Sequence, residues 1–287
     1  MTYLILAIVT STLNHLIFKG IARFKIDLLT AIVVNYAVCT TIGFTSSRQT
    51  LLQESVFQQS WFPFSVLQGC FLVTCFFLIG LSTRKQGVAI TTLATRLSLV
   101  IPVAMAFILF SDPITFPKVA GIFTAISALY LSVIDPSKSK ELVKSVSHLP
   151  IILFIFFGLN TSMMKIVEAG YLTDASYHAY VMFAFVAAFV ISATVLGWRI
   201  IQNKQMSRWQ DLLAGLVLGS VNYGAVYFLI RALSVPGFQS SQVFPTISIA
   251  VVIFSALGAR LFFVELINKR LITAILIGAG SIILVNL

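Results

Sequence analysis

Arg96 lies near the middle of the uninterrupted apolar run 86–110. A charged side chain at the centre of a membrane-spanning helix costs about 2.5–3.5 kcal/mol on insertion scales, so it is kept for a reason. A guanidinium at that depth is suited to bidentate hydrogen bonding of a carboxylate or phosphate. Thr92 shares its face one turn earlier, and Pro102 downstream removes a backbone donor and frees carbonyls nearby. The competing reading is a structural arginine satisfied by carbonyls or polar side chains of neighbouring helices.

Three further sets of polar residues interrupt apolar runs. Ser11, His15 and Lys19 recur at intervals of four and share one helix face. Gly158, Thr161, Ser162 and Lys165 form a comparable stripe. The lysines either approach a cavity or extend to the headgroups. Asn14 and Asn160 each precede their lysine by five residues, which turns the two side chains about 140° apart. They are therefore assigned to hydrogen bonds with neighbouring helices. In the third set, Asn222, Tyr223 and Tyr227 place an amide and two phenols at mid-depth, behind Gly215 and Gly219, whose spacing permits close helix contact. Ser241, Phe244 and Ser248 share a face where Pro245 interrupts the hydrogen-bond ladder, giving either a broken helix of the kind that lines transporter sites or a kink.

Two arginines, Arg231 and Arg260, fall near run ends, where a long side chain reaches the headgroups. His148 and His178 border loops without a metal-ligand partner at helical spacing. The acidic residues inform by position: Asp27, Glu54, Asp112, Asp135, Glu141, Glu168, Asp174, Asp211 and Glu265 all lie in loops or near run ends. The candidate small-molecule site is thus Ser11, His15, Lys19, Thr92, Arg96, Ser162, Lys165, Asn222, Tyr223, Tyr227 and Phe244, with no catalytic set, no metal and no cofactor.

The elements that position these residues follow from composition. Of 287 residues, 59% are hydrophobic and only 10% charged, against about 25% charged in soluble domains, and the mean hydropathy is +1.00. A water-soluble globular protein is excluded. The runs are continuous rather than alternating, which excludes a β-barrel. The fold class is an all-α polytopic membrane protein. Spans are expected at 2–22, 28–46, 61–82, 86–110, 115–134, 149–168, 177–198, 209–233, 238–263 and 271–286, ten in all by the length a bilayer requires. The net charge of +10 sits between runs, serving orientation and lipid headgroups rather than nucleic acid. Arg23, Lys25, Arg84, Lys85, Lys138, Lys140, Lys144, Arg199, Lys204, Arg208, Arg260, Lys269 and Arg270 fall on one side and mainly Arg48 and Lys118 on the other. The first set is accordingly cytoplasmic. Cys39, Cys70 and Cys75 lie inside apolar runs and form neither a zinc motif nor a disulfide framework.

The chain also repeats itself. Leu13-Asn14 with Lys19 returns as Leu159-Asn160 with Lys165, Phe77-Leu78-Ile79 returns as Phe228-Leu229-Ile230, and Phe110-x-Asp112-x-Ile114 returns as Phe263-x-Glu265-x-Ile267. A polar linker, 135–148, separates the halves 1–134 and 149–287. Five spans per half is odd, so the second copy would enter the membrane from the opposite side, the inverted repeat of secondary transporters.

Asn14-x4-Lys19, Pro102, the acidic turns at Asp112 and Glu265, and the closing runs with Gly121 and Gly278 resemble the EamA-type members of the drug/metabolite transporter superfamily, over essentially the whole chain. One departure is that the Gly-Glu turn usual in that family is Ser111-Asp112 in the first half and Val264-Glu265 in the second. The resemblance implies a ten-helix carrier with a cavity lined by the first four helices of each half, in a multi-pass topology in a cell membrane, a bacterial inner membrane. Its small multidrug-resistance relatives exchange protons through a buried Glu in the first helix, and Thr10 to Phe18 offers none. A positive cavity favours small anionic or zwitterionic metabolites. The alternatives are a multidrug or hydrophobic-compound exporter, an intramembrane enzyme, for which no nucleophile–base set is present, and a channel, for which no charged ring or filter loop is present. Partners are the substrate and the lipid bilayer, with no nucleic acid, in a monomer or homodimer.

Overall fold

The computed structural model describes residues 1–48, 55–86, 88–133, 148–203, 208–235, 237, 239–263 and 269–287. Among these the regular elements are eleven α-helices and one 3-10 turn, Val56–Gln58, with no strand. The helices are α1 (Thr2–Arg23), α2 (Leu28–Ser46), α3 (Phe62–Gln86), α4 (Val88–Leu97), α5 (Val100–Leu109), α6 (Phe116–Val133), α7 (Leu149–Tyr171), α8 (Tyr177–Asn203), α9 (Trp209–Leu233), α10 (Ser240–Phe263) and α11 (Lys269–Val285). Seven of them, α1, α2, α3, α7, α8, α9 and α10, are long and apolar enough to cross a membrane, consistent with a multi-pass membrane protein. The linker up to Ser147, the acidic turn at Glu265 and the polar stretch from Gln49 to Glu54 lie outside the described residues.

Prolines separate two expectations. The run 86–110, expected as one helix, is divided into α4 and α5 at Ser98 and Leu99. Pro102 offers no N–H to the Ser98 carbonyl four residues back. That carbonyl instead accepts from the Ile101 N–H at 3.0 Å, and the Arg96 carbonyl accepts from Leu99 at 3.4 Å. The chain tightens into a 3-10 step and resumes. For Pro245, where the sequence leaves a break and a kink both open, α10 continues through the proline as one helix.

The described chain forms two compact units, and each draws helices from both sequence halves. Unit 1 holds Met1–Val73 and Ile166–Ser234, that is α1, α2, α8, α9 and the adjoining parts of α3 and α7. Here α9 packs on α1 and on α2, and α2 packs on α8. The contacts are close because small residues face them: a Cβ at Gly219 would lie 2.7 Å from the Asn35 carbonyl oxygen, and one at Gly215 2.6 Å from that of Ala31. The Gly215–Gly219 pair thus serves packing within this unit. Similarly, a Cβ at Gly69 on α3 would meet the Ala184 carbonyl oxygen of α8 at 2.4 Å. Ile21, Ala31 and Leu218 form part of its core.

Unit 2 holds Thr74–Lys165 and Val235–Leu287. In it α6 packs on α11, and α10 packs on α5, α6 and α11. Leu129, Leu153, Ala125 and Ile249 are buried. Ser111 adopts φ 54°, and in the following position Asp112 accepts the Ser241 backbone N–H at 2.9 Å and its hydroxyl at 2.7 Å, capping the start of α10 from another segment. Lys118, counted from the sequence among loop cations, is 4% exposed and donates to the Pro113 carbonyl and to Gln239.

Candidate functional site

On α9, Tyr223, Tyr227 and Arg231 recur every four residues and so line one face. Two residues of the first turn of α8, Tyr177 and His178, meet that face, and Tyr3 reaches it from the start of α1. His178 Nδ1 lies 2.7 Å from the Tyr223 hydroxyl, with donor and acceptor set by the imidazole tautomer. The imidazole also stacks on Tyr227 with centroids 4.1 Å apart and planes 13° apart. Tyr223 and Tyr227 are nearly parallel to each other, at 8°.

One turn beyond, the Arg231 guanidinium lies over Tyr3 at 4.8 Å and over Tyr177 at 4.7 Å, both in cation–π range. Its terminal nitrogens donate to Asp174 and, at 3.2 Å, to the Tyr3 hydroxyl, while its Nε is buried with no hydrogen-bond partner among the described residues. The arginine side chain is 17% exposed and the Asp174 side chain 90% exposed. Tyr177 donates to Glu168 at 3.3 Å, so a second carboxylate borders the cluster. Arg231, expected to extend to the headgroups, is thus held by partners within its own unit. Its four-residue spacing from Tyr227 was the available signal; Tyr3, Asp174 and Tyr177 are remote in sequence and gave none.

The opposite end of the same helices carries a second ion pair. Asp27 accepts both terminal nitrogens of Arg199 and the N–H and hydroxyl of Thr30, capping α2. The Asp27 N–H donates to Asp211 at 2.8 Å, and Asp211 also accepts the Arg208 N–H at 2.8 Å, capping α9. The Arg199 guanidinium, with help from Thr30, holds the Asp27 carboxyl at about 2, below its ordinary value.

The residues singled out from the sequence are divided between the units. In unit 1, Asn14 donates to Asn222 at 2.9 Å; Ser11 and Lys19 are half-buried and His15 is exposed. In unit 2, Arg96 and Thr92 occupy α4 just before the 3-10 step. Lys165 lies 5.3 Å from the centre of the Phe110 ring. Ser162 is buried and donates to the Gly158 carbonyl, and Asn160 and Phe244 are buried. Among the described residues no three His, Cys, Asp or Glu side chains are grouped to hold a metal ion.

No family model matches the chain. An uncharacterized protein of Haemophilus influenzae is 22% identical over 273 residues, spanning 93% of this chain and 91% of its own. A protein of known crystal structure superimposes with a TM-score of 0.75 at 14% identity, over 99% of this chain and 94% of that one. At that identity the likeness is one of fold.

Proposed function

We propose that the protein is an EamA-type carrier of ten transmembrane helices in two inverted repeats, moving a small anionic or zwitterionic metabolite by alternating access. One observation carries the reading. Within each unit, contacts recur in pairs related by a nearly constant sequence offset, as a pseudo-twofold axis would require. Gly121 lies by Val285 and Gly278 by Ala128, and Gly278 and Val285 follow Gly121 and Ala128 by 157 positions. Since 121 pairs with 285 and 128 lies by 278, α6 and α11 run antiparallel. In unit 1, Gly219 meets Asn35 and Val38, while Gly69 meets Ala184 and Ala187, at offsets of 149 and 150. Tyr36 packs on its own counterpart, Phe185, with ring centroids 5.9 Å apart.

The division of α4 and α5 by Pro102, with Arg96 at the break, supports a broken helix next to a binding site. Arg96 holds the anionic group in this reading, with Lys165 of the same unit adding positive potential. Reconstitution of the full chain in proteoliposomes tests it: counterflow of labelled carboxylates, phosphates or amino acids, lost in Arg96→Gln and much reduced in Arg96→Lys, is the expected result. Counterflow of organic cations alone would move the assignment to a multidrug exporter, and no counterflow of any panel member would overturn the carrier reading.

A further inference from the structure

The strongest unassigned feature is the guanidinium of Arg231, and it has the attributes of a recognition group rather than of a strut. It lies over two aromatic rings, Tyr3 and Tyr177, of which only Tyr3 also takes one of its donors. Of those donors one nitrogen meets the Tyr3 hydroxyl and one meets Asp174, while Nε, like that of Arg199, is buried without a partner among the described residues. Asp174 itself is nearly fully exposed, so its carboxylate can return to water with little desolvation cost. One turn deeper, the rings of Tyr227, His178 and Tyr223 lie within 13° of parallel and offer flat apolar faces ending in a hydroxyl and an imidazole.

We propose that Arg231 forms a second anion-binding subsite, separate from Arg96, that takes a small carboxylate with a planar or apolar body, Asp174 being the counter-ion that this carboxylate displaces. The incoming group occupies the guanidinium edge that Asp174 leaves, and its body packs on Tyr227 and His178. This deepens the carrier reading by naming the substrate class, and it rests on that reading only for the transport step, because binding can be measured by itself.

Benzoate is the probe, with benzamide as its uncharged match of nearly equal shape, titrated calorimetrically into the full chain in nanodiscs. Benzoate should bind saturably and benzamide at least about tenfold more weakly, the difference of one charge-assisted pair. Arg231→Lys, which keeps the charge and loses the planar fork, should weaken benzoate by about tenfold. Asp174→Asn should tighten it, because the competing carboxylate is gone. A strut would give the opposite sign or no change, so this variant decides even if Arg231→Gln does not fold. Equal binding of benzoate and benzamide, no binding of either, or an unaltered or weaker affinity in Asp174→Asn would overturn the subsite. Counterflow of labelled benzoate in proteoliposomes separates the two claims. Binding without counterflow supports the subsite and counts against the carrier, whereas counterflow indifferent to Arg231→Lys supports the carrier and overturns the subsite.

Discussion

The two ends of unit 1 carry the same ion pair in chemical terms, an arginine with an aspartate, and put it to different use. At Arg199 the carboxylate is the anchored partner: Asp27 caps α2, accepts from Thr30 twice and from both terminal nitrogens of the arginine. At Arg231 the guanidinium is the anchored partner, enclosed by Tyr3 and Tyr177, and the carboxylate of Asp174 stands in solvent. An ion pair stabilises a fold when its carboxylate is also tied to the backbone. When the cation is the buried member and the anion is free to leave, the pair covers a binding group.

That contrast can be broken most directly by exchanging the substitutions. Arg231→Gln should lose benzoate binding by more than about tenfold per folded molecule, since it removes the charge-assisted pair with the ligand. Arg199→Gln should do the reverse, leaving affinity per folded molecule intact and lowering the melting temperature in nanodiscs. If both variants lose stability and neither loses binding, the two ends are alike and the contrast fails.

The helices that join the ends offer a second handle. Gly219→Val would drive a side chain into the Asn35 carbonyl oxygen and Val38, which lie 2.7 Å from a Cβ there. Overpacking of that kind costs about 1–3 kcal/mol, so thermal stability should fall, while Ser220→Val, on the exposed side of α9, should be close to neutral.

Smaller effects sharpen the Asp27 end. Asp27→Ala removes a helix cap along with the ion pair, and loss of the cap alone is worth about 1 kcal/mol. It should lower the melting temperature measurably, whereas Asp174→Ala should not. The smallest effect is in pH. Asp27 is held at about 2 from an ordinary 3.8, so its contribution is fully present above the ordinary value and is lost as pH falls from about 4 towards 2. Melting curves across that window should show a component in the native protein that is absent in Asp27→Asn. Equal slopes would mean that the Arg199 pair adds nothing to stability.

Much of the frame was legible in the sequence for one reason. In a bilayer the backbone must satisfy itself within each segment, so apolar length alone specifies a helix and its ends. The bounds of α2 and α9 agree with the spans 28–46 and 209–233 to the residue. Proline was read less well, because its effect depends on where in the helix it falls. Pro102 is the third residue of α5, where a missing N–H is tolerated and the helix simply restarts, whereas Pro245 lies within α10, which continues through it.

The residue types and their spacing by themselves determined an all-helical chain with apolar helices long enough to cross a membrane, and polar groups within those helices. Tertiary structure alone decided which of those groups meet. Tyr223, Tyr227 and Arg231 share a face by helical periodicity, but Tyr3, Asp174, Tyr177 and His178 arrive from α1, the α7–α8 turn and α8. Likewise Asp27 finds Arg199 across a separation of 172 residues. Periodicity fixes the direction of a side chain relative to its own helix axis; only the packing of one axis against another, set here by glycines at the closest contacts, determines what stands opposite it.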